Sequence, residues 1–132
     1  MPQTRLVVQR PEGVYPLEPY AHAVRVDKTI YVSQLPALDE QERSVAVGDF
    51  RGQAEKVYAN LAAVLRAAGA EMRHIVRIHA YMTDVRYEPT LREVRRAALG
   101  DARVTLGLSI VAGLQRPEFL IAIDAVAVVD DD

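Results

Sequence analysis

The residues best equipped for chemistry alternate along one short stretch, His74 to Thr83, written HIVRIHAYMT. Read as a strand, its successive side chains point to opposite faces. Val76, Ile78, Ala80 and Met82 then take one face, and Ile75, Arg77, His79 and Tyr81 the other. The first face is ordinary core. The second is too polar for a core and too aromatic for a plain solvent face. An arginine offers a planar fork that holds a carboxylate through two hydrogen bonds. A neutral histidine can move a proton near pH 7. Side by side they suit a small anionic ligand. The bland alternative is a polar row that hydrogen-bonds across a subunit interface without any ligand, since buried polar groups must be paired in either case.

The rest of the composition narrows the chemistry. There is no cysteine, which excludes disulfides, thiolate nucleophiles and thiolate metal sites. No third ligand stands at metal-motif spacing from the histidines, so no metal is expected. The formal net charge is −2 and charged residues make up 26%, which gives no field for nucleic acid. The run Arg92, Arg95 and Arg96 reads as a solvated helix face, without aromatic stacking partners for RNA. No apolar run is long enough to span a bilayer or to serve as a signal peptide, so a cytoplasmic protein is expected. Half of the residues are hydrophobic, and residues 1–132 read as one domain.

These side chains need a scaffold, and its clearest part is Asp49 to Gly69. Phe50, Ala54, Val57, Leu61, Val64, Leu65 and Ala68 recur at helical steps on one face, with Arg51, Lys56, Asn60 and Arg66 assigned to the remaining surface. Asp49 suits the N-cap and Gly69 the C-terminal left-handed position. Arg5 to Gln9 reads as a strand. The proline-rich PEGVYPLEPY breaks regular structure, and HAVRV and TIYVS form a hairpin about Asp27-Lys28. Gln34 to Gly48 reads as a loop, Tyr87 to Leu99 as a second helix, and Arg103 to Val111 and Phe119 to Val129 as the last strands. The order β-β-β-α-β-α-β-β predicts an α+β layer, one mixed sheet with both helices on one face. The last strand is apolar on both faces, and two helices cover one side only. A second subunit is therefore expected over the other.

Several strings, PYAHAVRV, IYVSQLPAL, QAEKVYANLAAVLRAAGAEMRHIVRIHAYMTD and PEFLIAIDAVAV, resemble the Rid family, the reactive intermediate deaminases also called YjgF or endoribonuclease L-PSP. The resemblance runs from about Tyr20 to Val129. It implies a chorismate-mutase-like fold and a homotrimer with a ligand cleft between each pair of subunits. It implies hydrolysis of an imine or enamine to a 2-oxo acid and ammonia, with no cofactor. The alternatives are a non-catalytic trimer that binds a small carboxylate and, least favoured, a ribonuclease or translation inhibitor.

Tyr20 matches the family's tyrosine, and His22 stands where the family has glutamine. Ser33 matches the serine of V-S-G-Q, and Gln34 stands at the glycine. The family's P-A-R reads here as Asp101-Ala102-Arg103, which makes Arg103 the carboxylate holder. Counting back from Gly113-Leu114 instead puts Leu106 there. The acid/base glutamate falls on Ala122, Asp124 keeps the second carboxylate, and the helix asparagine falls near Arg92. The expected catalytic residues are Arg103, Tyr20 and His79. The expected ligand contacts are Ser33, Gln34, Arg77, Tyr81, His22 and Arg92.

Overall fold

The computed structural model describes residues 5–8, 11–15 and 20–130. The described part of the proline-rich stretch holds no strand or helix; its residues 16–19, together with Gln9, Asp131 and Asp132, lie outside the described residues. The strands are β1 (Arg5–Val8), β2 (Ala23–Val26), β3 (Thr29–Pro36), β4 (Ile75–Met82), β5 (Thr105–Ile110) and β6 (Ile121–Val128), and the helices are α1 (Phe50–Ala67) and α2 (Glu88–Leu99). They form one six-stranded sheet in the order β1-β2-β3-β6-β4-β5. Every pairing is antiparallel except the parallel β4–β5 pair. Both helices lie on one face, and the expected α+β architecture is present.

α1 begins as its sequence predicts. The Asp49 carboxylate accepts the Gly52 N–H at 3.1 Å, and Gly69 takes φ 85° after the last turn. The whole predicted apolar stripe, Phe50 to Ala68, is buried against the sheet. Arg25 crosses from β2 to donate to the Ala68 carbonyl at 2.9 Å, a cation at the negative end of the helix dipole. The β2–β3 hairpin turns through Asp27-Lys28, with Asp27 at φ 53°.

Asn60, expected on the surface, is buried instead. Its amide donates to the carbonyls of Pro36 (3.2 Å) and Leu38 (3.1 Å), which fixes the chain as it leaves β3. Gln53 does the same for the segment before β6. It donates to the Glu118 carbonyl at 3.0 Å and accepts the Leu120 N–H at 2.9 Å. Apolar periodicity does not report such positions, because these side chains are buried for their hydrogen bonds. β3 also runs three residues beyond TIYVS, through Gln34 and Leu35 to Pro36, past a register shift between Val32 and Leu35.

His74 does not belong to β4 and is not exposed. It closes a 3₁₀ turn over Met72–His74, and its Nδ1 accepts the Glu71 N–H at 2.9 Å. Near the C-terminal end, Asp130 is ion-paired with Arg73. β4 carries a bulge, for Ile75 pairs with Ala127 while Arg77 pairs with Val126. The extra residue, Val76, turns outward and Ile75 turns into the core, the reverse of their predicted faces. From Arg77 onward the alternation is as predicted, with Ile78, Ala80 and Met82 inward.

Replacing Asn60 with alanine strands two buried carbonyls. The expected loss of unfolding free energy is about 1–3 kcal/mol by urea denaturation. A loss under about 0.5 kcal/mol, the size of a surface substitution, contradicts the clasp.

Candidate functional site

The sheet face opposite the helices carries a polar cluster on β4, β5 and β6. The parallel register sets His79 beside Gly107 and Tyr81 beside Ser109. On the other side, His79 pairs with Asp124. His79 Nε2 lies 2.8 Å from Ser109 Oγ, and Arg77 reaches His79 Nδ1 at 3.3 Å. A guanidinium can only donate. Nδ1 is therefore the accepting nitrogen, and the neutral ring carries its proton on Nε2 and donates it to Ser109. The Tyr81 hydroxyl donates to Asp124 Oδ2 at 2.7 Å. That hydrogen bond to the carboxylate raises the Tyr81 pKa above its ordinary value, so Tyr81 stays a donor. The His79 and Tyr81 rings sit 4.5 Å apart, tilted by 31°.

Gly107 makes room for this arrangement. A Cβ there would stand 2.5 Å from His79 Nδ1 and 3.1 Å from the Arg77 guanidinium. Real side-chain contacts do not approach so closely, so the imidazole lies where any other residue would place its first carbon.

Ser33 and Gln34 occupy the irregular part of β3, opposite Asp124 on β6. Bulges of this kind re-aim side chains at sheet edges and next to sites. Ser33 Oγ donates to the Ala21 carbonyl at 2.7 Å, which brings the residue following Tyr20 against the bulge. Tyr20 is well exposed, at 63%. The register thus leads from the Ser33–Gln34 irregularity across Asp124 to the strand that carries His79, Tyr81 and Arg77.

The other expected residues lie elsewhere. His22 is completely buried, and its Nε2 bonds the Tyr15 carbonyl at 2.7 Å. Burial holds its pKa below the ordinary imidazole value, against the opposing pull of that hydrogen bond. A neutral, buried ring with no exposed atom serves the fold in this chain. Arg92 is ion-paired with Glu88 at 2.7 Å on α2. Arg103 lies just before β5 and lines a cleft with Arg92, Arg95 and Arg96. Leu106, the other candidate for the family arginine position, lines the same cleft. Asp124 accepts from Tyr81. Ser109, Gly107 and Asp124 are absent from the predicted site. Asp124 was within reach of the alternation along β6, whereas the other two depend on a parallel register that has no local signal. Among the described residues, no group of three or more metal-capable side chains is gathered, and no helix is long and apolar enough to cross a membrane.

Residues 10–129 match the model described as Endoribonuclease L-PSP, and the chain belongs to that family, the Rid or YjgF family. It is 32% identical over 118 residues to the 3-aminoacrylate deaminase RutC of Acinetobacter baylyi, covering 89% of this chain and 93% of that one. It is 26% identical over 106 residues to a 2-iminobutanoate/2-iminopropanoate deaminase of Dermatophagoides farinae, covering 78% and 83%. The crystal structure of RidA from the Antarctic bacterium Psychrobacter sp. PAMC 21119 superposes with a TM-score of 0.87 at 26% identity, covering 94% of this chain and 99% of that one.

Nitrogen NMR of the imidazoles is expected to show His79 as the Nε2–H tautomer. Gly107→Ala is expected to abolish that signature by lifting the ring off β5. An unchanged His79 spectrum in the variant contradicts the close approach.

Proposed function

We propose that this chain forms a homotrimer through its open sheet face, and that each seam takes a small imine or enamine bearing a carboxylate and hydrolyses it to a 2-oxo acid and ammonia. The observation that carries the reading is the polar cluster on a face without helices. Around it Val7, Tyr31 and Val128 stand exposed. Val7, Val24, Tyr31 and Val126 form one apolar row that ends at Arg77. A row of this kind is suited to burial against another copy. The deaminase names of relatives at comparable length support the chemistry.

Within one chain, Arg77 is the arginine beside the proton-moving groups, so the carboxylate falls to it. When Arg77 turns to the carboxylate it releases His79 Nδ1, whose lone pair is then free to take a proton from water. The water oxygen bonds to the C=N carbon while the nitrogen gains a proton. That proton comes back from His79 and gives a carbinolamine; His79 then takes the hydroxyl proton and passes it to the amine nitrogen as the C–N bond breaks, and a carbonyl and ammonia leave. An enamine first takes a proton at carbon and gives up one from nitrogen to become the imine. Tyr81, with its proton held toward Asp124, presents its hydroxyl oxygen to the substrate as an acceptor.

The second reading is a trimer that binds a carboxylate without turning it over. It is favoured by Ala122, which leaves no carboxylate where the resemblance places the family's glutamate. Ammonia release from 2-iminopropanoate decides between the two. Wild-type protein is expected to exceed buffer, with Arg77→Ala reducing kcat/KM at least about 100-fold and Arg103→Ala changing it less. A wild-type rate equal to buffer, with the carboxylate still bound, selects the second reading. A larger loss in Arg103→Ala than in Arg77→Ala moves the carboxylate to Arg103.

A further inference from the structure

The two helices leave a groove of about 340 Å³ between them. α1 lines it with Ala59 and Ala62, and α2 with Ala97 and Ala98. Methyl side chains on both facing rows leave open the space that larger residues would fill. Tyr58 and Val94, each 4% exposed, lie in the floor. The Tyr58 hydroxyl makes no hydrogen bond to any described residue. Burial pushes its pKa up to about 12, so it stays a neutral phenol. A buried phenol without a partner is hydrogen-bonding capacity that the fold does not use. Sites for small molecules typically enclose about 300–1,000 Å³, with mostly apolar walls and a few polar groups.

The charges along this groove are uneven. Arg51 on α1 is ion-paired with Glu93 on α2, which ties the two helices together. Glu55, one turn after Arg51, also lines the groove and makes no hydrogen bond or ion pair with any described residue. It acts on Arg51 through its charge alone. Two carboxylates in the groove therefore share one guanidinium. Arg95, whose charge acts on Tyr58, lines a smaller cavity on the β5 side and not this groove. The groove has no lining residue in common with the arginine cleft at the end of α2. The Arg77–His79 cluster stands on the opposite face of the sheet.

We infer that this groove is a binding site for a small amphiphilic cation, an ammonium head on a compact hydrocarbon body. The body covers the alanine rows and removes their surface from water. The ammonium stands at Glu55, which sets two cations against two carboxylates. A carboxylate head meets Glu55 and Glu93 as like charges and reaches Arg51 only by breaking its existing pair. An alcohol gains the apolar contacts alone. One chain forms the whole groove, so the site depends neither on deamination nor on assembly.

Alanine-methyl NMR of the full chain, titrated with 2-phenylethylammonium, 2-phenylethanol and 3-phenylpropionate, tests the inference, because the three share one hydrocarbon body. Shifts are expected to centre on Ala59, Ala62 and Ala97. The ammonium is expected to bind at least about threefold more tightly than the alcohol, and the carboxylate more weakly than the alcohol. Added salt is expected to shrink that preference. Glu55→Gln is expected to lose most of the preference while the alcohol binds as before. Ala97→Leu, at an exposed helix position, is expected to fill the groove and lose both ligands. The exposed Glu55→Gln keeps the test valid should Ala97→Leu fold poorly. No shifts in the groove, equal binding of ammonium and alcohol, or tighter binding of the carboxylate overturns the proposal. So does full preference in Glu55→Gln or unchanged affinity in folded Ala97→Leu.

Discussion

The structure depends on a mismatch of cover. Two helices shield one face of a six-stranded sheet, and nothing in the described chain shields the other. On the covered side the centre of the core is closed, with Ile30, Leu35, Ile78, Met82, Ile121 and Ile123 essentially inaccessible, while Leu6 on β1 and Leu106, Leu108 and Ile110 on β5 stay exposed at the sheet's edges. On the open side Val7, Tyr31 and Val128 remain exposed. Water ordinarily penalises an apolar row of this kind, which is why such patches mark interaction surfaces. The polar cluster stands beside that row, on the same face of the sheet.

The covered side governs the open side through the backbone. Asn60 and Gln53 belong to α1, yet their hydrogen bonds fix the chain after β3 and before β6. Those two strands carry the Ser33–Gln34 irregularity and Asp124. On the far edge, Thr105 Oγ1 donates to the Val76 carbonyl at 2.9 Å and ties the start of β5 to the β4 bulge. From there the parallel register delivers Gly107 and Ser109 to His79. Site geometry in this fold is therefore set by elements that never reach the site, and positions held by regular strands are more exact than positions held by loops.

The sequence made α1 legible because its apolar spacing, its Asp49 cap and Gly69 all agree. The hairpin at Asp27-Lys28, the element order and the outward row of Arg77, His79 and Tyr81 were legible for the same reason. The bulge at Val76 was not, since a two-residue period carries no mark of an inserted residue and every side chain before it changes face. Asn60 and His74 were misassigned because both are polar side chains buried for the hydrogen bonds they make. The grouping of Arg103 with the α2 arginines, and of Ser109 with His79, depends on which distant segments meet, and no short window of sequence contains that.

What most directly probes the dependence on cover is the mass of the protein in dilute solution by sedimentation equilibrium. Burial of the open face against like copies predicts three times the 14.6 kDa chain mass. A stable species of 14.6 kDa, with Tyr31 and Arg77 facing water, would contradict it.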